Sequence, residues 1–224
     1  MENKHKIFME FEDHLLNYER PSIYFRELAD SPLFSDFPFT LLGDLKRIEQ
    51  PPTHHPEGSV WEHTLLVVDL AAEWKKASED PRVFMWSALL HDLGKARTTK
   101  VRKGKITAYD HDKHGAILAA SFLQEFTDDN EFITKVSQMV RWHMQILFVA
   151  KKLPFADIDK MITEVPLAEI TLLSLCDRLG RGNMNEKTRQ AELENVKCFL
   201  HACQQHQAPY AEGTIPTRLQ QVLT

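Results

Sequence analysis

The sequence predicts an all-α protein. Three observations carry that expectation. Apolar residues recur every three or four positions over most of the 224 residues, the spacing of helix faces rather than strands. Glycine is scarce, with eight residues, and strand-like alternation is nearly absent. Several histidines and aspartates fall in phase with the apolar stripes, where an unpaired imidazole or carboxylate is costly unless something binds it. A chain of this length can bury one large core.

Residues 5–18 and 21–29 read as short amphipathic helices, the second opened by Pro21. Residues 35–49 read as a further helix or a turn-rich segment. Pro51, Pro52, Pro56 and Gly58 mark a loop. A helix over about 59–77 aligns His63, Val67, Leu70 and Trp74 on one face. The next, about 82–93, is apolar on nearly every side and closes on His91 and Asp92, with Gly94 placed as its C-terminal cap. Arg102-Lys103-Gly104-Lys105 between Val101 and Ile106 suggests one small β-hairpin within 98–109. A helix over about 111–126 aligns His111, Gly115, Leu118 and Phe122, and one over about 129–148 aligns Phe132, Val136, Met139 or Val140, and His143. Short helices follow at about 156–163 and 166–180, the latter aligning Ile170, Leu173 and Asp177, and a long one runs over about 186–206. Residues 207–216 read as loop and 217–223 as a terminal helical turn. The organisation expected is an N-terminal helical extension over 1–40 packed on the core, a main domain over 41–206 and a tail over 207–224.

No apolar run approaches the length of a membrane span, and the first residues lack an apolar signal core. A cytoplasmic protein without a membrane partner is the expectation. Cys176, Cys198 and Cys203 form no paired spacing, which argues against a disulfide framework. A net charge of −5 argues against an extended nucleic-acid interface. One local exception is the run Lys95, Arg97, Lys100, Arg102, Lys103 and Lys105, which begins directly after the His-Asp pair. Such runs are usually solvated loops; here the alternative is that some of these charges steer a phosphate.

Imidazole nitrogen combined with carboxylate oxygen suits divalent ions such as Mn, Fe, Co, Ni or Mg. His63, His91, Asp92 and Asp177 are the first candidate ligand set, and His111 and His143 are candidates for a second ion. Asp92 has two oxygens and can bridge. Cys176 points about 100° away from Asp177 around its helix, which disfavours a thiolate site. Taken singly, each residue has a plainer reading. A lone histidine on an apolar face is usually a hydrogen-bonded core residue, and Asp177 alone is explained as a buried helix-to-helix partner. It is their joint phase with the buried stripes that points to metal.

His63, then His91-Asp92-Leu93-Gly94-Lys95, then Asp177 resembles the signature of the HD superfamily of metal-dependent phosphohydrolases. The segment from His54 to Thr64, His111 with Gly115-Ala116, Val140 to His143 and Asp177 to Arg181 are similar to the C-terminal HD domain of bacterial CCA-adding tRNA nucleotidyltransferases. The resemblance covers roughly residues 40–200. It implies an α-helical bundle that holds one or two divalent ions and hydrolyses phosphomonoesters or 2′,3′-cyclic nucleotides through a metal-activated hydroxide. It does not imply CCA addition, since nothing in the chain resembles a nucleotidyltransferase head. Two positions depart from relatives. Met144 follows His143 where dinuclear relatives often have a second histidine, and Lys95 stands where some nucleotidases carry a glutamate.

Asp92, Lys95 and Arg178 are the expected catalytic residues. Lys95, His55, His114, Arg178 and Arg181 are the expected contacts to a small phosphorylated substrate, a nucleotide by the resemblance. Arginine binds phosphate bidentately, although a salt bridge to a neighbouring helix explains Arg178 or Arg181 as well. His114 has a plainer reading as a rim residue, and the loop of His54 and His55 either touches substrate or docks the first ligand helix. A different class of function, a non-catalytic module that binds a nucleotide and signals to a partner, is the alternative. The substrate, the metal and the oligomeric state are not set by these residues.

Overall fold

A computed structural model describes residues 2–206. The predicted tail turn over 217–223 lies outside the described residues. The first helices are α1 (Glu2–Asn17) and α2 (Ser22–Leu28). Phe8, Phe11 and Leu15 recur along α1 at helical spacing and are buried in the same core as the later helices. Asp69 accepts from the backbone N–H and the hydroxyl of Ser22, at 3.0 and 2.6 Å, and so holds the start of α2.

Of the two readings of residues 35–49, the turn-rich one holds: the segment is a chain of short pieces. A 3-10 turn spans Pro32–Ser35, the Phe37-Pro38 peptide is cis, α3 (Thr40–Gly43) is one turn long, and a 3-10 turn spans Asp44–Arg47. Pro38 supplies no N–H and disfavours helix in the residue before it, so no continuous helix can cross it.

The bundle proper begins with α4 (Val60–Trp74), where Ser59 accepts from the Glu62 N–H at 3.2 Å. Next comes α5 (Pro81–Leu90), with Asp80 accepting from the Val83 N–H at 3.1 Å and Pro81 at its first position. Every residue of α5 from Val83 to Leu90 is buried. A helix apolar all round needs neighbours on every side, and it has them. It is packed by α1, α4, α8 (Asn130–Trp142) and α11 (Leu167–Leu179). The His91-Asp92 pair at its end is thereby carried to the centre of the molecule.

Beyond α5 the chain turns through Gly94 into α6 (Lys95–Thr98), then the hairpin of β1 (Thr99–Arg102) and β2 (Lys105–Ala108). Lys103 and Gly104 both have positive φ, 48° and 74°, as a tight primed hairpin turn requires. The register pairs Val101 with Ile106. Helix α7 (His111–Gln124) follows and packs along α8. The predicted helix over 129–148 is interrupted: α8 ends at Trp142 and α9 (Gln145–Ala150) resumes after His143 and Met144. The His143 carbonyl there accepts from the Ser174 hydroxyl of α11 at 3.0 Å. A tertiary donor has taken the place of the next helical N–H. Then come α10 (Ile158–Glu164), α11 and α12 (Glu186–His206). Cys176, Cys198 and Cys203 are free thiols. Among the described residues no helix is long and apolar enough to cross a membrane.

Candidate metal centre

Five stretches of chain meet at the end of α5. His63 comes from the first turn of α4, His91 and Asp92 from the turn after α5, and Asp177 from the last turn of α11. His111 opens α7, and His143 follows α8. All six are buried. Their separations fall into two sets. His63 Nε2 lies 2.9 Å from Asp177 Oδ1 and 3.9 Å from Asp92 Oδ2. His91 Nε2 lies 3.3 Å from Asp92 Oδ2 and 3.9 Å from Asp177 Oδ1. On the other side of the same carboxylate, Asp92 Oδ1 lies 3.5 Å from His111 Nε2 and 3.9 Å from His143 Nε2. Those two imidazoles are 3.3 Å apart. Asp92 thus offers one oxygen to each set.

The imidazole orientations are set by what stands behind them. Backbone carbonyls of Ala88, Ala108 and Val140 accept from Nδ1 of His91, His111 and His143, at 2.9, 2.7 and 2.7 Å. A carbonyl cannot donate, so Nδ1 carries the proton and Nε2 faces the centre as a base. A carbonyl behind a histidine is the usual support of a metal ligand. His91 Nε2 is buried without an aligned hydrogen-bond partner, a costly state that a shared cation removes. The donor set is nitrogen and oxygen without sulfur, and it fits first-row divalent ions or Mg.

Two glycines allow this approach. Gly94 was expected to cap α5, but the cap position is taken by His91, and Gly94 has an ordinary φ of −64°. What it supplies is room. A Cβ there would lie 2.0 Å from the His111 carbonyl oxygen and 2.6 Å from the Gly115 nitrogen. A Cβ on Gly115 would in turn lie 3.4 Å from the Gly94 nitrogen and the His91 carbonyl oxygen. The turn bearing Asp92 and the helix bearing His111 therefore meet backbone to backbone.

Burial works against charge on every one of these groups, and neighbours decide where it prevails. At Asp92 the Lys95 and His91 charges outweigh it, and the carboxyl sits well below its ordinary range. At Asp177 the His63 bond and neighbouring charges do the same. Asp92 and Asp177 hold His91 above the usual imidazole value despite burial. Burial prevails at His111, and at His143, where the adjoining imidazoles help to lower the pKa to about 4. Two ionised carboxylates beside the neutral imidazoles of His111 and His143 favour a cation at neutral pH.

A cavity of about 450 Å³ opens over this centre, within the range of small-ligand sites. Asp92, His111, His143 and Asp177 form its floor. Lys95 lies on its wall, with Nζ 2.7 Å from Asp92 Oδ2 and 2.7 Å from the Gln50 amide oxygen. His54 and His55 line the cavity from the proline-rich loop. Arg178 and Arg181 also line it, but differently. Glu192 of α12 grips Arg178 bidentately, at 2.8 and 2.7 Å. Arg181 reaches Glu192 only at 3.6 Å, and its buried Nε has no partner. His114, a predicted substrate contact, is exposed and is not among the cavity-lining residues. It lies about 60° around α7 from His111, on the side turned to solvent. Of the basic run, only Lys95 reaches the cavity; Arg97, Lys100, Arg102, Lys103 and Lys105 are exposed. Cys176 is buried away from the centre, and burial pushes its thiol pKa up.

Sequence reasoning did not single out Gln50, Glu57 or Glu192. Glu57 carried a signal, as a carboxylate between two histidines in a rigid loop ahead of the first ligand helix. Gln50 and Glu192 carry no local signal, because their partners lie 45 and 14 positions away.

The HD domain family matches residues 60–182. The chain is 41% identical over 86 residues to the "Multifunctional CCA protein" of Actinobacillus pleuropneumoniae, 37% of this chain and 20% of that protein. It is 29% identical over 184 residues to the protein of the same name in Methylococcus capsulatus, 82% of this chain and 36% of that one. A third of that name, from Aromatoleum aromaticum, is 49% identical over 51 residues, 23% of this chain and 12% of that protein. The chain thus spans well under half the length of these relatives. More than half of its length lies within the matched region, and the chain belongs to the HD domain family, a superfamily of metal-dependent phosphohydrolases.

Proposed function

We propose that this chain hydrolyses a small phosphate ester, with a nucleotide as substrate, as a phosphomonoesterase, a 2′,3′-cyclic phosphodiesterase or both. The observation that carries the reading is Asp92, which turns one oxygen to each of two histidine sets on the floor of a cavity. His63, His91, Asp92 and Asp177 would hold one divalent ion, and Asp92, His111 and His143 a second. Such ions, when bound, lower the pKa of water and polarise phosphate oxygens.

The chain's own residues supply the rest. Lys95 places an ammonium at the edge of the centre, where it neutralises phosphate charge. Its contacts to Asp92 and Gln50 hold it in reach. Arg181 has a donor without a partner and takes a phosphate oxygen. Arg178 is already held by Glu192, and it adds positive field rather than a free fork. His55, on the loop above, bounds the cavity and excludes water from that side.

The test is turnover by the purified chain with Mn, Co, Ni or Mg, on nucleoside monophosphates and 2′,3′-cyclic nucleotides. Metal-dependent hydrolysis is expected, with Asp92→Ala lowering it by a factor on the order of 100 or more. No turnover with any ion, or equal turnover after Asp92→Ala, refutes the reading. Tight nucleotide binding without hydrolysis would favour the non-catalytic module instead.

A further inference from the structure

The four imidazoles of the centre are supported in two ways. His91, His111 and His143 each lean on a backbone carbonyl three residues earlier. Each follows the end of its preceding element or starts a new one, where carbonyls are left over from helix pairing. His63 is different, because it sits inside the first turns of α4. The carbonyl three residues before it belongs to Val60, which accepts the Thr64 hydroxyl at 2.9 Å. His63 therefore needs an acceptor from outside its helix.

Glu57 stands in that place. Its Oε1 lies 2.8 Å from His55 Nδ1 and 3.1 Å from His63 Nδ1, which has no aligned hydrogen-bond partner, while His63 Nε2 stands 2.9 Å from Asp177 Oδ1. Its Oε2 accepts the Gly182 N–H at 3.1 Å. Gly182 follows the helix that carries Asp177, and a Cβ there would lie 3.3 Å from Glu57 Cβ. One carboxylate thus ties the cavity loop, the first ligand helix and the segment after the last ligand helix. Both of its oxygens are accepting, and the side chain is nearly enclosed, 5% exposed.

We propose that Glu57 is a positioning residue that backs the His63 ring on its Nδ1 side and so turns Nε2 toward the ion shared with His91, Asp92 and Asp177, while locking the His55 loop over the cavity. The assignment rests on the metal-centre reading above. Glu57→Gln removes the arrangement with little change of shape. One end of the amide becomes a donor, and whichever way it turns that donor meets an imidazole N–H or the Gly182 N–H.

Two measurements test it. Titration of the metal-stripped full chain with Mn²⁺ by calorimetry should show affinity at the His63 site falling about 10- to 100-fold in Glu57→Gln, as for other carboxylates behind ligand histidines. Nitrogen-15 spectra of the Mg²⁺-loaded wild type, with His63 assigned by His63→Gln, should show the His63 proton on Nδ1, the nitrogen that faces Glu57. Unchanged Mn²⁺ affinity in folded Glu57→Gln overturns the proposal. So does a His63 protonated at Nε2 alone, a result that needs no variant to fold. A wild-type chain that binds Mn²⁺ and turns over no phosphate ester fails the functional reading and leaves this one standing.

Discussion

Replacing Gly94 by alanine probes the closest backbone approach in the centre. The new Cβ would sit 2.0 Å from the His111 carbonyl oxygen, 2.6 Å from the Gly115 nitrogen and 2.8 Å from the His111 carbonyl carbon. All three are backbone atoms, so no side chain can swing aside. Restoring ordinary contact needs a displacement on the order of 1 Å between the Asp92 turn and α7. Overpacking of that kind costs about 3 kcal/mol, which lowers the melting temperature by roughly 6–12 °C in a chain of this size. Gly104→Ala is the comparison. Its Cβ would meet nothing within 4 Å, and only its φ of +74° is unfavourable, a cost of about 1 kcal/mol. Urea unfolding followed by circular dichroism measures both, read from the midpoint at constant slope. The same displacement separates Asp92 from His111, so hydrolysis by Gly94→Ala should fall about 100-fold while Gly104→Ala stays near wild type. If Gly94→Ala is as stable as Gly104→Ala, the close approach is not what demands glycine there, and the reasoning fails.

Other consequences can be checked directly. Calorimetry with Mn²⁺ should count two ions per wild-type chain and one in His111→Ala, and two in the variant would contradict the bridging role of Asp92. Arg178→Ala leaves Glu192 buried beside one distant arginine and should cost about 3–5 kcal/mol in urea unfolding. Arg181→Ala leaves the bidentate pair intact, so its main effect should be binding of inorganic phosphate about tenfold weaker; equal stability losses in the two variants would overturn this division. His55 has its pKa lowered from 6.5 to about 4 by burial, against the pull of Glu57. The unfolded chain then takes up this proton first as the pH drops. The stability from neutral His55 is complete above about pH 6.5 and is lost toward pH 4, about 3 kcal/mol in all. The decline in stability over that window should be shallower in His55→Gln, and a decline as steep as that of the wild type would refute the assignment.

Most of the helices were legible in the sequence because their signals are local. Apolar spacing marks α4, α5, α7, α8 and α11, and Ser59, Asp80, Asp129 and Asp157 each accept a backbone N–H at the start of a helix. The six proposed ligands were legible for a related reason. A histidine or aspartate in phase with a buried stripe contradicts its surroundings, and that contradiction is visible without coordinates. The errors lie where a partner distant in sequence prevailed. Ser174 interrupts the helix after Trp142 by taking the His143 carbonyl. Gly94 reads locally as a cap and serves in fact as a contact surface for α7.

The sequence by itself determined the fold class, the buried polar residues and the kind of ion they suit. Only the tertiary structure decided that Asp92 lies between two histidine sets, that Arg178 and not Arg181 is neutralised by Glu192, and that Glu57 stands behind His63. Periodicity reports which side of a helix is buried, because that depends on near neighbours in the chain. Which buried groups face one another depends on how helices cross, and crossing is a property of the whole packed bundle.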